Sequence, residues 1–207
     1  MARYLHPIVT GTYDYSCDTL DGDAFKLSYL EPIPTRLQKF DPRTIFGGGA
    51  RVSSVNMPTR VCLEGRKRKM PDIANQLHMY FVTRPVIDVI EGFQKEIQYF
   101  PVEAVWKDGS EAGQFFFLFT TVLLDTVNRK MTTLPWQNSP PGSAVAGHWL
   151  YKEGATFVFD KSKIGNTHFW KDPHYLTAKP LVSDALFEAL KKAKFQAFQN
   201  SRPFEEI

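Results

Sequence analysis

Two cysteines in 207 residues are too few for a disulfide framework, and Cys17 and Cys62 lack metal-ligand spacing. That usage suits a reducing compartment. Long apolar runs are also missing. The longest, FFFLFTTVLL from Phe115 to Leu124, has the length of a strand rather than of a membrane helix. The opening MARYLHPIVTGTYDYSCD carries no apolar signal core, so the expected location is the cytoplasm. Charge of one sign is scarce as well, with a net charge of +3. Residues 1–70 hold 11 Lys/Arg and 7 Asp/Glu, against 14 and 15 in residues 71–207. The excess gathers in GRKRK, Gly65 to Lys69, whereas a dedicated nucleic-acid binder spreads a wider basic field.

Catalytic and metal-binding patterns are absent too. The five histidines form no H-E-x-x-H, and there is no C-x-x-C. His168 and His174 stand six apart with His148 upstream, and histidines of this kind in connectors are ordinarily turn or surface residues. Cys62, within RVCLEG, reads as a small apolar residue on a short strand. GGGARVSS lacks the Gly-Lys-Ser/Thr ending of a phosphate loop, and the spacing of Asp18, Asp21 and Asp23 fits a turn rather than a calcium loop. The expectation is no metal, no cofactor and no catalysis.

What is present is aromatic. Phe, Trp and Tyr make 14% of the chain, with 17 Phe, as suits strands and a Phe-rich core. A chain of this length can bury roughly 70% of its unfolded surface without staples. Residues 1–70, rich in Pro and Gly, predict loops, short extended pieces at Phe25–Tyr29 and Val61–Leu63, and one helical turn. PDIANQLHMYFVT predicts a helix or turn start. RPVIDVIEGFQ predicts a helix near 85–93, with Pro85 tolerated in the first turn. Residues 97–127 predict a hairpin turning at Asp108-Gly109, whose return strand is covered on both faces. A long loop with a short edge strand over 128–155 and a strand at Ala155–Asp160 follow. Ser183 then caps a helix over 184–193 with Ala185, Leu186, Ala189, Leu190 and Ala193 buried, and Phe195, Ala197 and Phe198 fit a short strand or an extended tail. The expected class is α+β, a mainly antiparallel sheet with a few short helices packed on it, with residues 1–207 forming one domain.

The closing PLVSDALFEALKKAKFQAFQNSRPFEEI, through Leu181, Val182, Ser183, Asp184, Leu186 and Leu190, resembles the end of immunity protein family eleven of polymorphic toxin systems. QYFPVEAVWKDGSEAGQFFFLF is similar to the middle of that family through Tyr99–Val102 and Phe115–Phe119, and THFWK through His168 and Trp170. The likeness covers about residues 71–207; residues 1–70 show none. Where the family often places Gly after the last helix, this chain has Lys194.

The resemblance implies a non-enzymatic bacterial protein that docks on a cognate toxin. All the matching motifs belong to the scaffold, so partner choice is expected in the first 70 residues and the 128–155 loop. The partner-binding candidates are Trp136, Trp149 and His148 in that loop, where burial of the tryptophans is not assured, and Arg66, Lys67 and Arg68 in the basic run. The chain's mild basicity argues against a nuclease as the toxin. Two alternatives stand beside this reading: a nucleic-acid-binding regulator using residues 66–69, and an enzyme with histidines gathered in one cleft. No membrane contact is expected, and oligomeric state is open.

Overall fold

The computed structural model describes residues 1–4, 15–30, 49–65, 70–77, 79–138, 147–149, 154–174, 180–195 and 204–207. Its main body is a six-stranded sheet. The strands are β2 (Tyr15–Thr19), β3 (Arg60–Gly65), β4 (Ile73–Gln76), β5 (Met79–Val82), β6 (Ile97–Trp106) and β7 (Glu111–Thr120), in the order β2-β3-β6-β7-β5-β4. All neighbours run antiparallel except β3 and β6. A second sheet orders β1 (Ala2–Tyr4), β12 (Leu181–Ser183) and β11 (Phe169–Trp170) as β1-β12-β11. The class is α+β.

The β6–β7 hairpin is the expected one. Gly109 takes φ +84 in its turn, which only glycine adopts freely. Pro101 sits mid-strand without breaking the sheet. Pairing of β6 with β3 begins at Glu103, so the missing N–H of Pro101 falls beyond the end of β3. The apolar run of β7 is explained by cover on both faces. Phe115, Phe117 and Phe119 pack with Phe81, Trp106 and Val61 under the loop residues Leu27, Val52 and Met57. On the other face, Leu118 packs with Tyr80 and Val82 under α1 (Arg84–Glu91) and α3 (Asp184–Lys192).

Three expectations are corrected here. The stretch from Ile73 to Val82 is a hairpin, not a helix. Met79 to Val82 are all buried, and such a run has no periodicity to separate strand from helix. Its turn passes through Leu77 at φ +51, without the Gly or Asn that announces a tight turn. Phe25 lies in a 3-10 turn, Ala24–Lys26, capped by Asp23, rather than in an extended piece. The strand expected over Ala155–Asp160 shrinks to β10 (Val158–Phe159). It pairs with β13 (Glu205–Glu206) outside the main sheet, and Asp160 caps the short α2 (Lys161–Ile164).

Helix α3 begins as its sequence demands: Ser183 Oγ accepts from the backbone N–H of Leu186 at 3.2 Å. Asp184 in the first turn also pairs with Arg3, pinning β1 to the helix. The buried face is rotated from the expected alanine stripe. Leu186, Phe187 and Leu190 are buried, whereas Ala185 and Ala193 are exposed, because the large Phe187 gains more by burial than an alanine does. Past the helix, Lys194 takes φ +57, and its N–H donates to the carbonyl of Lys191 at 3.0 Å. A lysine thus holds the left-handed position that glycine usually fills. Lys194→Gly is expected to raise stability by about 0.5–1 kcal/mol, read as a higher urea midpoint at unchanged slope. The short strand or extended tail expected from Phe195 to Phe198 lies, beyond Phe195, outside the described residues.

Among the described residues no helix is long and apolar enough to cross a membrane.

Candidate functional site

The 128–155 region builds a small two-stranded ribbon, β8 (Trp136–Asn138) against β9 (Gly147–Trp149), with Trp136 opposite Trp149. The two indole rings meet edge to face at 4.8 Å. Gly147 lets them close up, since a Cβ there would lie 2.4 Å from the carbonyl oxygen of Gln137 and 2.7 Å from the Trp136 ring. Trp149 is 5% exposed and rests on Phe157 in a third core with Val127, Phe159 and Trp170. Its Nε1–H has no acceptor among the described residues. Trp136 is only half-buried, and its Nε1–H donates to Asn138 Oδ1 at 2.8 Å.

The ribbon stands on a polar base. Arg129 lays its guanidinium over the Trp136 ring, 4.5 Å from the centroid. Its Nη2 lies 3.2 Å from His174 Nε2 and 3.4 Å from Asp125 Oδ2. His174 is 7% exposed; its ring lies 5.2 Å from Trp136, and its Nδ1 is 2.9 Å from the carbonyl oxygen of Gly147. The backbone of His174 is held in turn. Its N–H donates to Asp172 Oδ1 across Pro173, and its carbonyl accepts from Trp149 N–H. The buried Asp172 also accepts from the backbone and hydroxyl of Thr126. Burial pushes the Asp172 carboxyl above its ordinary value.

A comparison with protein families matches residues 32–201 to the immunity protein family (Imm11). The chain belongs to that family. The span begins at residue 32, so strand β3 is part of the family scaffold, and the stretch expected to lie outside the family narrows from residues 1–70 to residues 1–31. Comparison with curated proteins gave no match.

In this Imm11 chain the sequence candidates fall in different places. Trp136 is partly exposed, and Trp149 lies buried behind it. His148 takes the middle of β9 opposite Gln137, with its side chain outside the described residues. Arg66, Lys67 and Arg68 also lie outside them. His168 and His174 do not share a cluster. His168 Nδ1 lies 2.7 Å from Ser183 Oγ, and its ring packs on Phe93. Among the described residues no three metal-ligating side chains gather. Arg129, Asp125 and Asp172 escaped the sequence reading. The one available signal was Asp172-Pro173-His174, in which a carboxylate can catch an N–H two residues on.

Proposed function

We propose that the chain binds a cognate antibacterial toxin in the cytoplasm of the cell that makes both and neutralises it by covering its working surface, with no catalysis of its own. The observation that carries this reading is membership of the immunity family over residues 32–201. The ribbon supplies a fitting anchor. Trp and Arg dominate the energetic centres of protein interfaces, and here a half-buried Trp136 and an Arg129 that is 47% exposed are already stacked on a hydrogen-bonded base. Anchors ordered before contact lose little freedom on binding. Trp149 backs this anchor, His148 borders it, and Arg66, Lys67 and Arg68 add attraction for an acidic toxin face.

The test uses the toxin encoded beside this chain. The two proteins are expected to co-purify as a stoichiometric complex, and the chain to restore growth of cells making the toxin. Trp136→Ala is expected to weaken the complex by about 2 kcal/mol, roughly 30-fold in Kd by calorimetry. If the wild-type chain neither binds the toxin nor protects the cells, the reading is wrong. If both survive but Trp136→Ala leaves the affinity unchanged, the anchor lies elsewhere.

A further inference from the structure

His174 Nε2 stands between two groups that it cannot serve at once. Arg129 Nη2, at 3.2 Å, brings only N–H donors, so it needs the bare nitrogen lone pair. Asp125 Oδ2, at 3.4 Å, is an acceptor and needs an N–H on that nitrogen. The other ring nitrogen is committed in both cases, because Nδ1–H donates to the Gly147 carbonyl. The ring therefore stays fixed to the ribbon whichever partner Nε2 takes. We infer that His174 is a proton-operated latch that sets whether Arg129 stays stacked on Trp136.

With a neutral ring, Nε2 accepts from Arg129, and the guanidinium lies over Trp136 as observed. Adding one proton to Nε2 turns that contact into two N–H donors and two positive charges facing each other at about 3 Å, a repulsive arrangement. The new N–H turns to Asp125, whose carboxylate then neutralises the imidazolium rather than Arg129. Arg129, exposed and on a long stem, is free to swing away and uncover the indole face.

The surrounding charges favour the switch. Asp125 and Arg129 face the ring from the segment after β7, and Asp172 sits on the chain of His174 itself. Lys163 of α2 lies near enough to act on Asp125. Burial draws the imidazole down, but the hydrogen bond to Asp125, the Gly147 carbonyl and the two carboxylate charges draw it up further, to above its ordinary value. Asp125 is correspondingly held below the usual carboxylate range, first by its hydrogen bond with His174.

This deepens the docking reading by giving its anchor a regulator, yet it is tested on the chain alone, so its failure and the failure of toxin docking are separate. The full chain, labelled with nitrogen-15, is titrated by NMR from about pH 5 to about pH 9, the window in which histidine changes charge. The His174 ring, the Trp136 indole N–H and the Arg129 Nε–H are expected to move in one shared transition centred above 6.5, with acrylamide quenching of Trp136 stronger on the acid side. Asp125→Asn is expected to lower that transition by roughly one pH unit. In His174→Gln the side-chain oxygen can accept from Arg129, so Arg129 and Trp136 should show no transition. If that variant fails to fold, Asp125→Asn decides, because Asp125 is 41% exposed and its loss leaves no buried gap. The latch is overturned if Arg129 and Trp136 stay still while His174 titrates, or if Asp125→Asn titrates where the wild type does.

Discussion

Gln94→Leu is expected to cost about 3 kcal/mol of folding free energy, seen as a lower urea midpoint with an unchanged slope. Gln94 follows helix α1 and is 7% exposed. Its Oε1 accepts from the backbone N–H groups of His168 and Phe169, each at 2.9 Å, and its Nε2 donates to the Phe169 carbonyl at 2.7 Å. One side-chain amide thus pairs with the open edge of β11 as a neighbouring strand would. The opposite edge of β11 is already bonded to β12. Leucine fills similar space but strands the buried N–H of Phe169, which costs about 1–3 kcal/mol, and the part-buried N–H of His168, which costs less, offset in part by the gain of apolar burial. The Phe169 carbonyl keeps its bond from Thr120 Oγ1 at 2.7 Å, so it is not orphaned. Gln94 and Thr120 together tie the small sheet to the large one. The chain that carries Asp172 and His174 leaves from β11, so a loosened β11 also loosens the base of the ribbon. A loss below about 1 kcal/mol would mean that water or rearranged backbone replaces the amide, and that Gln94 is not the joint between the sheets.

Features that rest on local rules were legible in the sequence. Ser183 caps α3 because an orphan N–H needs an acceptor, Pro85 opens α1 because its missing N–H is not needed there, and Gly109 turns the central hairpin. Features that depend on what lies across the fold were not. The run Met79–Val82 is apolar on both faces, so only its partners decide that it is a strand. Phe187 displaces an alanine stripe because α1 and the sheet supply a pocket that the helix alone does not reveal. The site divides in the same way. Trp136 was open to proposal as an anchor from residue type and loop position. Arg129, Asp125 and Asp172 are ordinary charges in sequence and gain meaning only when the ribbon brings His174 against them. Gln94 is the extreme case: a polar residue with no pattern, whose shortest hydrogen bonds reach more than seventy positions along the chain.

Stability is expected to rise, not fall, as pH climbs from about 8 to 9, then to level off and collapse above about 10. Lys171, bridged to Leu123 beside the ribbon's base, is 3% exposed, and burial lowers its pKa from 10.5 to about 8. Between those values the unfolded chain holds a proton that the folded chain has shed, so raising the pH favours folding. The full span is worth on the order of 3 kcal/mol. Cys17 works in the opposite sense. Burial, with Asp18 and Cys62 nearby, raises its thiol from 9.0 to about 12, so above 9 the unfolded chain loses a proton that the folded chain keeps. From 9 to 10 these two effects cancel, which gives the plateau. Above 10.0 the buried hydroxyls of Tyr29 and Tyr80, both pushed well up by burial, join Cys17 on the destabilising side, and the gain from Lys171 ends at 10.5. Urea titrations at pH 7.5, 9, 10 and 11, roughly bracketing each pKa, read this curve directly. Lys171→Met should abolish the rise between 8 and 9 and leave the collapse, while Cys17→Ala should convert the plateau into a continued rise. A wild-type midpoint that falls steadily from pH 7.5 to about 9 would show that Lys171 keeps its proton in the folded chain, and with it the charge that burial is expected to remove.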